Sequence, residues 1–351
     1  MRAAQLSDLN DLAVVDLPTP SAGPGELLLE VGANTLCGTD VRILRGEKKS
    51  NVVLPVVLGH ELSGTIAEVG AGVEGYDLGA QVALMPGVPC RRCWECTHER
   101  ENACAQLRIV GYEIDGGLAE YVRVPAASVE AGCVFVVDEA VEPARLALAE
   151  PLACVVTGQR LSPVGVGDTV LIMGAGPIGL LHLQLALAKG ARAVIVSESG
   201  AARQETARRL GATVTVDPKT EDLAAVVEEV TRGIGVDTTI IAAGVPALVD
   251  EALSLSRTGG YVNVFAGLAG AGWAELRANL VHYREVSIVG SSNTRRRDYR
   301  VAVDLITSGQ IDTASLVTHR FGLEDVGRAI DAVIAREGLK VAVVPEPARA
   351  T

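Results

Sequence analysis

The part of the chain after Leu152 most constrains the fold, because strand-like and helix-like runs alternate there. Short apolar runs such as TVLIMGA, AVIVSE and TTIIAAG are separated by longer runs such as PIGLLHLQLALAKG and ARQETARRLGA. Alternation of this kind is typical of parallel strands joined by helices that cover both faces of a sheet. We therefore predict a doubly wound α/β domain in this part of the chain.

The first part of the chain has a different pattern. Short runs such as GELLLEVGA, SGTIAEVGA and AEYVRVPA are punctuated by glycine and proline, which is typical of a β-rich domain. After Gly290 the alternation breaks at SSNTRRRDY, and two helix-like runs and the strand-like KVAVV follow. This last piece could return to the first domain, which would leave the α/β domain inserted in the middle.

A glycine-rich turn follows the first strand-like run of the α/β domain. The segment LIMGAGPIGLL supplies Gly174, Gly176 and Gly179 in the G-x-G-x-x-G spacing, with Pro177 and Ile178 between them. In such a turn the glycines allow a tight bend, close approach of a pyrophosphate and close packing of helix on strand. The phosphates then lie at the N-terminus of the helix, so this segment predicts a dinucleotide site.

The choice of dinucleotide depends on Glu198, which ends the next strand-like run. An acid at this place hydrogen-bonds a ribose 2′-hydroxyl and repels a 2′-phosphate, so we predict NAD. Arg192 and Arg203 lie nearby in the sequence and keep NADP open as an alternative.

Four of the seven cysteines lie close together in the first domain. Cys90, Cys93, Cys96 and Cys104 follow the spacing C-x2-C-x2-C-x7-C within the segment 86–106. This spacing fits a closed, tetrahedral zinc site whose role is structural; an iron-sulfur cluster is the alternative. His98 is expected to be exposed and not to be a ligand.

A second set of metal-binding residue types is spread over three segments. NTLCGTD contains Cys37, GHELSG contains His60 with Glu61, and LALAEPLAC contains Glu150. A cysteine, a histidine and a carboxylate leave the fourth position of a zinc ion open for water or an alcohol, as in catalytic sites. We therefore predict two zinc ions per chain, one structural and one catalytic.

The composition limits the possible partners and compartments. The formal charge of −12 argues against nucleic acid or an anionic membrane surface as a partner. The uncharged run from Thr169 to Ala188 contains the glycine-rich turn, so we interpret it as strand, turn and helix and predict no membrane span. The N-terminal segment lacks a signal-peptide pattern, and clustered thiols suit a reducing compartment, so we expect a cytoplasmic protein.

Taken in order, the motifs resemble those of a known family. CGTD at 37–40, GHE at 59–61, the four cysteines, DGGLAEYV at 115–122, EPLAC at 150–154 and GAGPIG at 174–179 are similar to the zinc-dependent medium-chain alcohol dehydrogenases. A glutamate at EPLA resembles the sorbitol and polyol dehydrogenase branch. The resemblance implies a GroES-like catalytic domain of residues 1–152 and 291–351, an inserted Rossmann NAD-binding domain of residues 153–290, and a homotetramer or homodimer.

The resemblance also implies roles for individual residues. Cys37 and His60 would bind the catalytic zinc, Glu61 and Glu150 would share the carboxylate role, and Thr39 would accept the proton of the alcohol. Asp40 is expected to orient His60 through its second ring nitrogen. Many relatives carry a histidine where this chain has Arg42. The residue that usually ends the proton relay is therefore absent from this position.

Residues at the ends of later strands are expected to flank the cofactor and the substrate. For the cofactor these are Ala243, Phe265, Gly267 and Leu268, while Lys340 would either meet the pyrophosphate or be an ordinary surface lysine. For a multiply hydroxylated substrate the polar candidates are Tyr112, Glu113, Asn293 and 295–297, although the three arginines could instead form a solvated turn.

The leading functional hypothesis is transfer of a hydride between NAD and a secondary alcohol of a polyol, sugar alcohol or cyclitol. The alternatives are an amino-alcohol dehydrogenase acting on threonine-like substrates and a dehydrogenase of a specialised secondary metabolite. A metal-free quinone or enoyl reductase would need neither zinc set, and a non-catalytic dinucleotide-binding protein would be expected to lack the open one.

Overall fold

The computed structural model describes residues 1–270 and 272–345. The chain divides into two compact units. The first contains Met1–Ala153 and resumes at Asn293, and the second contains Cys154–Ser292. Within the described residues, no helix is both long enough and apolar enough to cross a membrane.

The regular elements are short strands and short to medium helices. The strands are β1 (Arg2–Asp8), β2 (Asp11–Asp16), β3 (Leu27–Thr35), β4 (Val56–Val57), β5 (Glu61–Val69), β6 (Gln81–Leu84), β7 (Gly87–Val88), β8 (Arg108–Ile109), β9 (Tyr121–Val124), β10 (Val134–Val136), β11 (Thr169–Met173), β12 (Ala193–Ser197), β13 (Val214–Val216), β14 (Val236–Ile241), β15 (Ser256–Val264), β16 (Ser287–Gly290), β17 (Val317–Gly322) and β18 (Lys340–Val344). The helices are α1 (Gly38–Leu44), α2 (Trp94–Thr97), α3 (Ala126–Glu130), α4 (Pro143–Ala147), α5 (Ala149–Leu161), α6 (Pro177–Ala188), α7 (Ala201–Arg209), α8 (Leu223–Thr231), α9 (Leu248–Leu255), α10 (Ala278–Arg284), α11 (Arg296–Thr307) and α12 (Val326–Ala335). Three single 3-10 turns are Glu101–Ala103, Ala314–Leu316 and Leu323–Asp325.

The first unit is built on a seven-stranded sheet. Its order is β10-β6-β5-β3-β18-β17, with β9 also paired to β3. The central strand β3 is antiparallel to β5, where Thr35 faces Glu61, and antiparallel to β18, where Thr35 faces Ala342. This register brings residues from the start, the middle and the end of the chain to one place. Smaller sheets, β2-β1-β4 and β7-β8, complete the β-structure of the unit.

The second unit is a six-stranded parallel sheet in the order β13-β12-β11-β14-β15-β16. Its central strand β11, TVLIM, is buried along its whole length, as expected for a strand covered on both faces. Apolar residues of β11, β12 and β14 form one core cluster with residues of α8 and α9. The predicted fold class, a β-rich domain together with a doubly wound parallel sheet, is confirmed.

Candidate functional site

The first part of the site is formed where α1 begins. Cys37 is the N-cap residue of this helix, and its backbone N–H donates to Oδ2 of Asp40 at 2.8 Å. The same turn leaves Sγ of Cys37 3.6 Å from Oγ1 of Thr39. Capping of α1 by Asp40 therefore places a thiol, a hydroxyl and a buried carboxylate within one short turn.

His60 is oriented by the same aspartate. Its Nδ1 lies 3.2 Å from Oδ1 of Asp40, and both residues are buried. Burial lowers the pKa of His60, but the charge of Asp40 and its hydrogen bond outweigh this and raise the pKa well above 6.5 overall. A histidine that donates from Nδ1 to a carboxylate has its Nε2 fixed in orientation, and a metal ion that binds Nε2 displaces the proton from it.

Glu61 is held by two donors that the sequence motifs did not reveal. Its Oε2 accepts hydrogen bonds from Oγ1 of Thr35, which faces it across β3 and β5, and from Nζ of Lys340 at the start of β18. Lys340 also donates to the carbonyl oxygen of Leu36 at 3.1 Å. Both bonds to the carboxylate use the same oxygen, so Oε1 of Glu61 can still bind a metal ion.

Lys340 is not the ordinary surface lysine that the sequence allowed as one alternative. It is 5 % exposed and forms an ion pair with Glu61, which is 1 % exposed, while contact with a pyrophosphate stays a prediction. Burial lowers the pKa of Lys340, but the negative charge of Glu61 more than compensates, so the pKa is raised. The only signal in the sequence was a lysine at the start of the apolar run KVAVV.

One ligand atom from each of Cys37, His60 and Glu61 lies within 4.8 Å of the other two. A thiol, an imidazole and a carboxylate at this separation match the donor set of an open zinc site. Glu150, in the first turn of α5, is half-buried and does not belong to this close set. Its charge still raises the pKa values of Tyr112 and Lys340, after larger effects of burial and nearer charges.

Tyr112 packs against the imidazole side of this set. Its ring meets the ring of His60 edge-on, with 5.5 Å between centroids. Burial raises the pKa of Tyr112 to about 12, so its hydroxyl stays protonated near neutral pH. Glu113, predicted with Tyr112 as a substrate contact, lies 3.6 Å from Nε of Arg108, and its contact with a substrate stays a prediction.

The segment 86–106, here called the cysteine lobe, contains four cysteines that form a second close set. One sulfur from each of Cys90, Cys93, Cys96 and Cys104 lies within 4.8 Å of the others. Backbone N–H groups lower the pKa of Cys90 to about 6, whereas burial raises the pKa of Cys96 to about 12. The donor set is all thiol and fits a closed tetrahedral zinc site. His98 is exposed, as expected.

The polar residues around α11 lie against the cysteine lobe. Nδ2 of Asn293 donates to the carbonyl oxygen of Asn102 at 3.2 Å, and Nε of Arg295 donates to the side-chain oxygen of the same residue at 3.3 Å. Backbone N–H of Arg296 and the guanidinium of Arg297 bind glutamates of the lobe. These contacts fix the residues against the lobe, which favours the alternative of a turn for the three arginines, and their contact with a substrate stays a prediction.

In the second unit the glycine-rich turn has the predicted form. Gly174 follows β11 with φ 109, and Gly176 caps α6, which begins at Pro177. A Cβ atom on Gly179 would lie 1.9 Å from the carbonyl oxygen of Gly174, so no other residue fits there. Ile178 occupies the first turn of α6, whose N–H groups are available for phosphate.

Glu198 follows β12 and is tied to this turn. Its Oε2 accepts from the N–H of Ala175 and its Oε1 from the N–H of Gly200, both at 2.8 Å. The guanidinium of Arg203 lies 4.0 Å from the position that a Cβ of Gly176 would take. Arg192 instead binds Oγ1 of Thr169, at the other end of β11, so it cannot serve a phosphate at the turn.

The other predicted cofactor residues follow β14 and β15. The Cβ of Ala243 lies 3.2 Å from the ideal Cβ position of Gly174, which puts Ala243 beside the turn. Phe265 is half-buried, with its ring edge-on to His182 at 4.5 Å. Gly267 is exposed, and Leu268 packs on the core of the second unit.

Comparison with known protein families gives a match in each of the two units. Residues 23–132 match the family Alcohol dehydrogenase GroES-like domain, and residues 177–308 match the family Zinc-binding dehydrogenase. D-arabitol-phosphate dehydrogenase of Enterococcus avium is 33 % identical over 98 % of this chain and 96 % of its own. L-threonine 3-dehydrogenase of Pyrococcus horikoshii is 32 % identical over 89 % of this chain and 88 % of its own.

A solved structure extends the similarity to the whole fold. A zinc-binding dehydrogenase from Sinorhizobium meliloti, bound to NADP, matches with a TM-score of 0.91 and 35 % identity, covering 98 % of this chain and 99 % of that one. The predicted resemblance is thus confirmed over nearly the whole length, including a relative of the polyol type. The chain belongs to the zinc-dependent medium-chain alcohol dehydrogenase family, whose members use zinc and a nicotinamide dinucleotide.

Proposed function

We propose that the protein oxidises a secondary alcohol of a polyol, sugar alcohol or cyclitol to the ketone, with NAD as hydride acceptor. The observation that carries this proposal is the close set of Cys37, His60 and Glu61, backed by Asp40. The similarity to D-arabitol-phosphate dehydrogenase supports a multiply hydroxylated substrate.

The residues of the close set fit a catalytic zinc ion. We assign Cys37, His60 and Glu61 as its ligands, and Glu150 as a carboxylate that acts at longer range through water. Bound zinc would polarise the substrate hydroxyl as a Lewis acid, and the dinucleotide would accept the hydride. Asp40 keeps His60 in the ligating orientation, Lys340 balances the charge of Glu61, and Oγ1 of Thr39 accepts the proton that the alcohol loses.

The cysteine lobe fits a structural zinc ion, which gives two zinc ions per chain. Its four thiols leave no position for a substrate, so its role is to fold the segment 86–106. Clustered thiols that bind metal need a reducing compartment, which supports a cytoplasmic location. We assign the first unit as the catalytic domain, with proposed boundaries 1–152 and 291–351, and residues 153–290 as the NAD-binding domain.

NAD is proposed over NADP because of Glu198. Its carboxylate is fixed beside the glycine-rich turn by two backbone N–H groups, where it can accept further hydrogen bonds from ribose hydroxyls but repels a 2′-phosphate. The guanidinium of Arg203 has no hydrogen-bonding partner within the described part of the chain, and we assign it to the pyrophosphate. Gly174, Gly176, Pro177, Ile178, Gly179, Ala243, Phe265, Gly267 and Leu268 would complete the cofactor site.

We further propose that the protein is a homodimer or homotetramer. Among residues 1–270 and 272–345 the edge strand β16 pairs only with β15, and Ile288 on it is 37 % exposed. Nearby in sequence, Trp273 and Tyr283 are 84 % and 77 % exposed. An uncovered edge strand can pair with a second copy, and a sedimentation profile showing only monomer would contradict the proposal.

An amino-alcohol dehydrogenase is the second candidate, because L-threonine 3-dehydrogenase is among the similar proteins. The experiment that separates the two is NADH formation by the zinc-loaded protein with linear polyols, inositols, threonine and simple alcohols, each with NAD and NADP. We expect the highest kcat/KM with a polyol or cyclitol and NAD. A clear preference for threonine would replace the leading proposal with the second one.

A further inference from the structure

Arg42 and Lys48, here called the cation pair, are held next to each other by the chain. The segment turns back after α1, so that the backbone N–H groups of Glu47 and Lys48 both donate to the carbonyl oxygen of Arg42, at 2.8 and 3.1 Å. Partial burial, followed by the charge of Arg42, lowers the pKa of Lys48. The turn therefore maintains two positive groups close enough to repel each other.

The cation pair has no negative partner in the described ranges 1–270 and 272–345. Nζ of Lys48 donates only to Ser50, to its carbonyl oxygen at 2.9 Å and to its hydroxyl at 3.2 Å, and both acceptors are neutral. No described carboxylate lies within the 4.0 Å of an ion pair from either cation.

Lys48 of the pair lies near one of the proposed catalytic zinc ligands. Nζ of Lys48 is 5.5 Å from the ring centroid of Tyr112, and this ring in turn is 5.5 Å from the ring of His60. Two contacts, one between Lys48 and Tyr112 and one between Tyr112 and His60, thus connect the ammonium group to the metal-binding set. Glu113 follows Tyr112 but is paired with Arg108, so it does not neutralise the cations.

We propose that the cation pair binds an anionic group, a phosphate or a carboxylate, carried by the alcohol substrate. This inference rests on the proposed function and narrows its substrate class to polyols with such a group. A guanidinium offers a fork of donors to two oxygens of one oxyanion, and an ammonium adds a point charge. A bound anion reduces the repulsion between the two positive charges. A polyol that carries a negative group is therefore expected to bind more tightly than an uncharged polyol.

Equilibrium binding measured by calorimetry on the zinc-loaded protein tests this directly. The probes are D-arabitol 5-phosphate, D-arabitol, inorganic phosphate and NAD, each with wild type, the double variant Arg42→Gln/Lys48→Gln and the control Lys49→Gln. The control removes an exposed charge from the same loop. We expect wild type to bind the phosphorylated polyol at least about tenfold more tightly than D-arabitol, since hydrogen bonds to charged groups are among the stronger ones.

The double variant should lose that preference, about tenfold to a hundredfold in Kd for the phosphorylated polyol, with the Kd values for D-arabitol and NAD unchanged. Inorganic phosphate should compete with the phosphorylated polyol in wild type and in Lys49→Gln. Equal binding of the two polyols by wild type, or no binding of either, would overturn the proposal.

A dinucleotide phosphate has the same oxyanion chemistry and is the competing source. If the double variant weakened NAD binding and left the phosphorylated polyol unaffected, the cations would serve the cofactor and the proposal would be wrong. NADH formation with the same probes separates this inference from the proposed function. Selective binding without turnover would support the anion site and contradict the proposed function. Turnover of D-arabitol and its phosphate with equal kcat/KM would support the proposed function and contradict the anion site.

Discussion

The two close sets of metal-binding side chains differ in the groups that hold their ligands in place. The cysteine lobe draws four thiols from one segment, and its sulfurs are supported by backbone N–H groups, as where Cys90 and Gln106 donate to Cys104 at 3.3 and 3.4 Å. The set of Cys37, His60 and Glu61 is drawn from separate segments, and its members bind buried charged side chains.

This difference shows which set is built for chemistry. A closed thiolate set needs only local geometry, because its four ligands satisfy the metal. An open set must hold three ligands in place while the fourth position changes, so it needs Asp40 behind His60 and Lys340 behind Glu61. The four predictions below test that contrast, from the largest expected effect to the smallest.

Replacing a ligand of the open set should abolish turnover without unfolding the protein. For Cys37→Ser we expect one zinc per chain in place of two, and a loss in kcat/KM of about 10³-fold or more, since Lewis-acid polarisation contributes several kcal/mol. Metal analysis and initial rates measure both. The matched control is Cys133→Ser, a buried thiol outside both sets, which should keep two zinc ions and its activity. Full activity of Cys37→Ser would show that the open set is not needed for turnover, and the two sets would then no longer differ in function.

Removing the cation behind Glu61 should cost stability. Lys340→Met leaves a buried carboxylate without its partner, which is expected to lower the free energy of unfolding by about 3–5 kcal/mol. Urea unfolding of the metal-free protein, in which no zinc ion compensates Glu61, gives this value. The double variant Glu61→Gln/Lys340→Met has no uncompensated charge, so it should be more stable than Lys340→Met alone. A loss below about 1 kcal/mol for Lys340→Met would show that solvent, and not the lysine, balances Glu61.

Replacing a ligand of the cysteine lobe should affect folding and spare the chemistry. Cys96→Ser is expected to lose the structural zinc and about 3 kcal/mol of unfolding free energy, the linkage expected when free zinc exceeds its Kd about a hundredfold. Trp94 lies in α2 within the lobe, so its fluorescence should change as well. The kcat of the folded variant should remain that of wild type. A loss of kcat as large as that of Cys37→Ser would mean that the lobe takes part in the reaction.

The sequence was informative where function depends on local spacing. The glycine-rich turn, the four cysteines and the CGTD and GHE motifs each lie within one short segment, so their geometry follows from the order of residues. The pair of Glu61 and Lys340 depends on the register of β3 between β5 and β18, which joins positions far apart in the chain. The same limit explains why the sequence did not reveal the contacts of α11 with the lobe, because they join distant segments of the chain.

The smallest predicted effect concerns the residue that links helix capping to metal orientation. Asp40→Asn keeps an oxygen for one of its two acceptor roles but loses the charge that faces His60, so we expect the zinc affinity of the open set and kcat to fall about tenfold to a hundredfold. Chelator competition followed by metal analysis measures each zinc ion separately. Asp138→Asn, an exposed acid in the same unit, is the control and should behave as wild type.

The zinc ion of the cysteine lobe should be unaffected by Asp40→Asn, since no aspartate or glutamate belongs to that set among the described residues. If both zinc ions were released together, the two sets would depend on each other. The contrast between a locally built closed site and an open site held by distant buried charges would then no longer explain how this chain separates folding from chemistry.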